Sequence, residues 1–507
     1  MAGIFRQNCE ITYDDKELMK ENTFIGSQPD MTPIPEFKAI RGDLPQPLWD
    51  KHQDYIDCYW RAWEIAFGNL YMPTKENGFV SRYIDAAFNG CIFMWDSAFM
   101  LMFGKYADRI FKFQETLDNF YSHQHEDGFI CRQIDEEDGK DIFPRHDPSS
   151  TGPEVLAWCE WDYFLNFGDK ERLSRVYPCL VAYHQWMQEH FTWRDGTYFS
   201  SGYGCGMDNC PRLDEKYHVC YSHGHMVWVD ACMQELNACN ILIKMAKELG
   251  REEFISELKQ ESDHLFKVIN EKLWDEKTQF YYDLKNDDTF NGVKHIGAFW
   301  ALLAKCVPEN RKESFIAHLN NEQEFKTEHR VPTLSKDHEE YNPQGGYWCG
   351  SVWAPTNYMV LKGLDAYNKY DLSYEIACTN LDAVVNVFKD TGTVFENYAP
   401  EKIEGKFMKG SSSLPDFVGW TGLIPISVMF EYVFGIKPDA ANNKITWHIN
   451  RLEKHGIEKY PFGTDGELTL ICEKRNSSEE KPNVTVKSNV PVTVEIIWGD
   501  NKEVLAI

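Results

Sequence analysis

The sequence predicts a mainly α-helical protein: an (α/α)6 toroid with a small C-terminal antiparallel β layer. Three observations point there. From about residue 48 to 437, apolar residues recur at three- and four-residue steps, the period of an amphipathic helix. Over the last 65 or so residues the apolar period drops to two, the period of half-buried strands. No motif recurs at a fixed interval, which argues against an open solenoid and favours a closed ring of six helical hairpins. Roughly twelve helices of average length, with their loops, fill a span of that size.

Residues 1–45 lack a periodic pattern and hold Pro29, Pro33, Pro35 and Pro45, so they read as an extended arm laid over the body. The helical domain is placed at 46–437. Its helices are expected at Asp96–Tyr121, Val155–Gly168, Leu173–His190, Val229–Leu249, Phe254–Leu273, Ile296–Cys306, Pro355–Lys369 and Ser373–Asp390. Val229–Leu249 is the clearest: Cys232, Leu236, Cys239, Leu242, Ala246 and Leu249 share a face, and Gly250 follows as a stop. The apolar run Phe417–Ile436 approaches membrane length, but Pro425 and Glu431 make it a buried helix, since a charge at mid-bilayer is costly. In the β-rich domain, 438–507, Ile445, Trp447 and Ile449 alternate with polar residues. So do Leu468, Leu470 and Cys472, then Val484 and Val486, then Val492, Val494 and Ile496, with a polar turn at Asn476–Lys481.

Composition narrows the function. Lys and Arg number 52 and Asp and Glu 79, a net charge of −27, so the overall field repels nucleic acid and anionic membranes. Sixteen Trp in a chain that is 14% aromatic furnish either a large aromatic core or flat faces on which sugar rings stack. Fifteen cysteines are scattered with no C-x-x-C pair. Cys205, Cys210 and Cys220 beside His223 and His225 lack the usual zinc spacing, so neither metal nor cofactor is expected. Free thiols suit a reducing cytoplasm, and Met1–Tyr13 shows no signal-peptide core.

The chemistry-bearing residues lie in loops between helices, as in a scaffold that builds its site at one end. Met94–Phe99, MWDSAF, pairs the stacking face of Trp95 with the acceptor Asp96, which could equally cap the next helix. Ser200–Arg212 turns sharply through Gly202, Gly204 and Gly206 before Asp208, itself a candidate cap before Pro211. Gly345–Pro355 reads GGYWCGSVWAP. Phe395–Pro400, FENYAP, sets Glu396 between aromatic neighbours, where enclosure would perturb its ionisation; a solvated turn is the plainer reading. Asp416–Gly422, DFVGWTG, holds Trp420 among small residues.

In order along the chain, MWDSAF, QHEDGF (Gln124–Phe129), CGMDN, GGYWCGSVWAP, FENY and FVGWTG resemble inverting glycoside hydrolases of family 63 and the related family 37 trehalases, over residues 78–436. Family 63 includes processing α-glucosidase and the mannosylglycerate and glucosylglycerate hydrolases. The resemblance implies an (α/α)6 toroid, with Asp208 as general acid and Glu396 as general base. It assigns sugar contacts to Trp95, Asp96, Phe99, Gln124, Trp158, Gly206, Asn209, Trp348, Trp353, Tyr398 and Trp420. Cys349 and Ser351 stand where family members often carry Arg and then Pro.

The expected reaction is hydrolysis of an α-linked glucoside or related α-hexoside, with a small carbohydrate as the partner. An α-mannoside or a glycosylglycerate is the first alternative, trehalose the next. A phosphorylase or epimerase on the same scaffold, or a non-catalytic sugar binder, are the remaining readings. For inversion the two carboxyl groups stand about 6.5–9.5 Å apart, on opposite faces of the sugar. Asp208 must then hold its proton near neutral pH, while Glu396 stays ionised.

Overall fold

The computed structural model describes residues 13–507 except residue 88. The first twelve residues of the arm, and with them most of the Met1–Tyr13 segment, lie outside the described residues. The protein is mainly helical, with a small β region at its C-terminal end.

The helices are α1 (Phe37–Ile40), α2 (Gln53–Gly68), α3 (Met94–Gly104), α4 (Thr116–Ser122), α5 (Leu156–Phe167), α6 (Lys170–His190) and α7 (Gly202–Cys205). Then follow α8 (Val229–Leu249), α9 (Ile255–Lys272), α10 (Trp300–Leu303), α11 (Glu309–Ala317), α12 (Ala354–Ala366) and α13 (Tyr370–Thr391). A π-helical segment, Ile424–Val433, closes the helical part. The clearest expected helix is found over its predicted span: α8 ends at Leu249, and Gly250 takes φ 68° and donates to the last carbonyls. In α6 the carboxylate of Asp169 accepts from Arg172 N and so caps the first turn.

The predicted long helix Asp96–Tyr121 is instead two, α3 and α4, joined by short 3-10 turns. Gly104 is the break: a Cβ there would lie 2.8 Å from Phe113, so the chain folds back with Phe113 packed on the glycine. Asp108 seals the turn by accepting from Gln114 N at 3.1 Å. Ile296–Cys306 is shorter than predicted, a 3-10 turn leading into α10.

Packing is sequential. Helix α3 lies on α5, α5 on α8, α8 on α10 and α10 on α12, and the turn Thr421–Leu423 touches both α12 and α3. Helix α4 accompanies α3, α6 accompanies α5, α9 accompanies α8, and α13 accompanies α12. The described part of the arm lies over the body: Lys16 N donates to Glu126 O, Asn22 Nδ2 donates to Tyr121 O, and Phe24 is buried against Tyr121.

Strand β1 (Gln46–Trp49) precedes α2, and three two-stranded pieces lie within the helical part: β2 (Leu70–Tyr71) with β3 (Tyr83–Ile84), β4 (Cys91–Phe93) with β5 (Gln133–Asp135), and β6 (Trp274–Asp275) with β7 (Phe280–Tyr281). The C-terminal strands are β8 (Ile436–Asp439), β9 (Lys444–His448), β10 (His455–Phe462), β11 (Gly466–Cys472), β12 (Val484–Ser488), β13 (Thr493–Trp498) and β14 (Asn501–Ala506). They form two four-stranded sheets, β1-β10-β11-β12 and β14-β13-β9-β8. The single antiparallel layer expected from sequence is corrected twice: β9 pairs with β13 in parallel, and β1 crosses from the far end of the chain to pair with β10.

Candidate active site

Asp208 is delivered by the loop between α6 and α8. Ser201 caps α7 by accepting from Gly204 N at 3.0 Å, and Gly206 ends it at φ 75°. A Cβ on Gly206 would stand 3.1 Å from the Trp95 ring, so glycine is what lets this loop lie against Trp95. Asp208 sits in the turn that follows, where Cys210 N donates to Met207 O. No helix starts at this point, so Asp208 is not the cap that its neighbour Pro211 suggested. Burial pushes the Asp208 carboxyl up to about 6, against the charge of Arg132.

Glu396, 5% exposed, is held in place from several sides. The phenol of Tyr347 donates to Oε1 at 3.1 Å and Leu414 N donates to Oε2 at 3.2 Å. The Trp420 indole fixes the backbone behind it by donating to Glu396 O at 2.9 Å. This excludes the solvated-turn reading. Burial pushes the carboxyl up to about 7 despite the two donors, and the nearby charge of Asp208 adds to the rise.

Asp96 is inside the first turn of α3 rather than at its cap, which is Phe93. Its Oδ1 and the Trp95 indole N–H are buried with no hydrogen-bond partner. Burial raises Asp96 well above the usual carboxylate range; Arg132 opposes this, and the charges of Glu396 and Asp208 reinforce it. Three carboxylates, one from the first turn of α3 and two from distant loops, therefore share one low-dielectric region.

The remaining predicted residues divide. Trp348 and Trp353 stack face to face, centroids 4.0 Å apart and planes 2° apart, and Trp420 meets Trp353 edge-on at 5.4 Å. Both stacked rings are essentially buried, so they form the wall behind Tyr347 rather than an open platform. Asn209 commits its amide to that wall: Nδ2 donates to Gly346 O at 3.1 Å, and Oδ1 accepts from Trp348 N at 2.8 Å. Tyr398 turns its hydroxyl to Phe395 N and braces the Glu396 loop. Phe99 meets the Trp95 ring at 4.7 Å, and Trp158 lies behind Phe99 at 5.7 Å. Gln124 is not brought to this group; it donates to Gly128 O and Cys179 O and accepts from Asn22 in the arm.

Two residues outside the predicted set matter. Arg132, whose charge acts on both Asp96 and Asp208, is sandwiched by the rings of Phe143 and Tyr203 at 5.2 and 5.3 Å and donates to Tyr203 O. Nothing in Cys131-Arg132-Gln133 marks it. Tyr347 belongs to the GGYW motif but is shadowed there by its tryptophans; it adopts φ 64° so that its phenol reaches Glu396. A cavity of about 720 Å³ lies elsewhere, where Glu313 and Tyr370 meet His448 and Trp498, and none of the three carboxylates lines it.

Two carboxyls raised by desolvation, the buried Glu396, clamped by a phenol and a backbone amide, and the half-buried Asp208, are the equipment of acid–base hydrolysis of a glycoside. The family described as the mannosylglycerate hydrolase MGH1-like glycoside hydrolase domain matches residues 92–412, a span that contains Asp96, Asp208 and Glu396. The chain belongs to that family, and it is a glycoside hydrolase of the family 63 type. It is 27% identical to an uncharacterized protein of Borreliella burgdorferi over 438 residues, covering 83% of this chain and 88% of the relative. It is 24% identical to a probable mannosyl-oligosaccharide glucosidase of Schizosaccharomyces pombe over 418 residues, covering 67% of this chain but about half (49%) of the relative. The crystal structure of a GH63 mannosylglycerate hydrolase from Thermus thermophilus, in complex with glucose, superposes with a TM-score of 0.58 at 19% identity, covering 73% of this chain and 99% of the other.

Proposed function

We propose that the protein hydrolyses an α-linked glucoside or related α-hexoside by single-displacement inversion, with Asp208 as general acid and Glu396 as general base. The observation that carries this is the proximity of Asp208 and Glu396, two acids 188 residues apart in sequence, the charge of Asp208 acting on Glu396 and those of both acting on Asp96 and Tyr347. Asp208 protonates the departing oxygen, and Glu396 takes a proton from the water that attacks the anomeric carbon on the opposite face. Asp96 and Trp95, with unpartnered buried polar atoms, bind sugar hydroxyls beside them. The names borne by the fission-yeast and Thermus relatives support two substrate classes, glucosides of an oligosaccharide and glycosides of glycerate.

The architecture that supports this reading is an (α/α)6 toroid at 46–437, flanked by the arm at 1–45 and a β-rich domain at 438–507. Its support is the contact series from α3 through α5, α8, α10 and α12 to the Thr421 turn and back to α3. No described helix is long and apolar enough to cross a membrane. The described cysteines are free thiols, which suits the reducing cytoplasm proposed as the protein's place of action.

Glu396 departs from the ionised state expected of it from sequence: burial, with the Asp208 charge adding to it, pushes its carboxyl up to about 7, beside Asp208 at about 6. Burial is the main cause at both; Arg132 opposes the rise at Asp208, whereas the donors to Glu396 are neutral.

A panel of α-glucosides, α-mannosides, α-linked disaccharides and glycerate glycosides, assayed without phosphate, tests the proposal. Hydrolysis of one class, reduced by about 10²–10⁴-fold in Asp208→Asn and in Glu396→Gln, is the expected result. Turnover that requires phosphate, or that survives in both variants, overturns it.

A further inference from the structure

A second polar cluster is buried in the helical wall, built from four segments. His184 of α6 stands at its centre, 1% exposed. Nδ1 faces two carboxylates, Glu154 Oε2 and Glu235 Oε2, each at 3.1 Å. Nε2 faces Glu261 Oε2 at 2.9 Å and Cys239 Sγ at 3.4 Å. Tyr198 donates its hydroxyl to the other oxygen of Glu261.

Charge and hydrogen bonding are both unbalanced here. Glu154 is 2% exposed and Glu235 1%, and among the described residues His184 is the one cationic partner found for Glu154, Glu235 and Glu261. A buried carboxylate left uncompensated is expensive. Nδ1 can carry one proton along one direction, and that bond goes to Glu154. Glu235 Oε2, at the same distance, has no hydrogen-bond partner, and neither has Glu154 Oε1.

We propose that Glu154, His184 and Glu235 bind a structural divalent cation of the Zn²⁺ type. Their donor atoms lie within 4.8 Å of one another, and 3.1 Å between Nδ1 and each oxygen is the edge length of a coordination polyhedron with metal–ligand bonds near 2.0–2.2 Å. One imidazole and two carboxylates suit a borderline cation better than Ca²⁺ or Mg²⁺, which take all-oxygen sets. The other ring nitrogen supports the same assignment. A metal-bound imidazole hands its second N–H to a carboxylate, which is the place of Glu261, itself fixed by Tyr198. Cys239 lies on that far side and stays outside the coordination sphere. The cation would join the segment before α5 to α6 and α8. That segment touches the loop of Asp208, with Ser149 and Ser201 hydroxyls 2.9 Å apart, so the metal would brace one catalytic arm from behind without meeting substrate.

The test is metal analysis of the full-length protein, purified without chelator and dialysed against trace Zn²⁺. The expected result is one equivalent of bound metal, a fall in Tm after chelation that Zn²⁺ reverses, and visible d–d bands on Co²⁺ loading without a thiolate charge-transfer band. Glu235→Gln should lose the metal and become indifferent to chelator, whereas His223→Ala, in the His223–His225 pair packed on Trp193, should keep it. A wild-type protein that holds no metal and shows no Tm change with Zn²⁺ or chelator overturns the proposal, as does a Glu154→Gln/Glu235→Gln double variant that still loads one equivalent.

Discussion

At the scale of single residues, the proposed catalysis depends on what surrounds two carboxyls. With Asp208 raised to about 6 and Glu396 to about 7, both carboxyls change charge near neutral pH. Activity should trace a bell: both groups are protonated below the lower limb and no base remains, and both are ionised above the upper limb and no acid remains. A profile of kcat/KM against pH checks this, with an optimum between about 6 and 7 expected. Tyr347→Phe removes a donor that favours ionised Glu396, so the alkaline limb should move to higher pH while the fold persists. Asp208 and Glu396 were legible because each sits in a motif whose neighbours are unusual. Arg132 was not, because an isolated Arg carries no local pattern, and its placement between two rings is settled by tertiary contacts. Asn209 is expected from sequence to contact sugar, and no sequence feature shows that its amide is taken up by the GGYW loop.

Among elements, the long amphipathic helices were readable from their period, and those that were not have physical reasons. Asp96–Tyr121 is apolar along much of its length, so periodicity could not locate the fold-back at Gly104. Strand β10 escaped notice because Gly456, Pro461 and a bulge between Ile457 and Tyr460 break its alternation. The Ile424–Val433 segment is buried as expected, and its one charge, Glu431, meets Lys105 at 2.9 Å and Lys362 at 2.7 Å, with the hydroxyls of Tyr106 and Tyr358 completing the shell. Burial alone would raise Glu431, but Lys105 and Lys362 prevail and hold it below the usual carboxylate range. Glu431→Gln leaves two buried ammonium groups under-compensated and should cost about 3–5 kcal/mol in denaturant unfolding at neutral pH. Because the folded value is depressed, this contribution is full above the unfolded pKa and fades as pH falls through the folded one. The stabilities of wild type and variant should therefore converge in acid.

For the whole molecule, the β-rich region is tied into the helical body rather than appended to it. Strand β1 pairs with β10, the Trp447 indole donates to Phe434 O at 2.9 Å, and Tyr460 packs on Tyr106 at 5.6 Å. A chain truncated after residue 437 leaves β1 unpaired and bares Phe434 and Ile436, so it should appear in the insoluble fraction where the full chain is soluble. The switch of apolar period announced this region, but the recruitment of residues 46–49 into its sheet could not be read locally, because the partner strand lies some 400 positions away. The loops that carry Tyr347, Leu414 and Trp420 meet at Glu396, which all three hold. If Glu396 and Asp208 face each other across the sugar with one water between, the anomeric centre must invert. Proton NMR of the sugar first released from an α-linked substrate measures this directly. The β-anomer should appear first and mutarotate afterwards; the α-anomer appearing first would contradict the account.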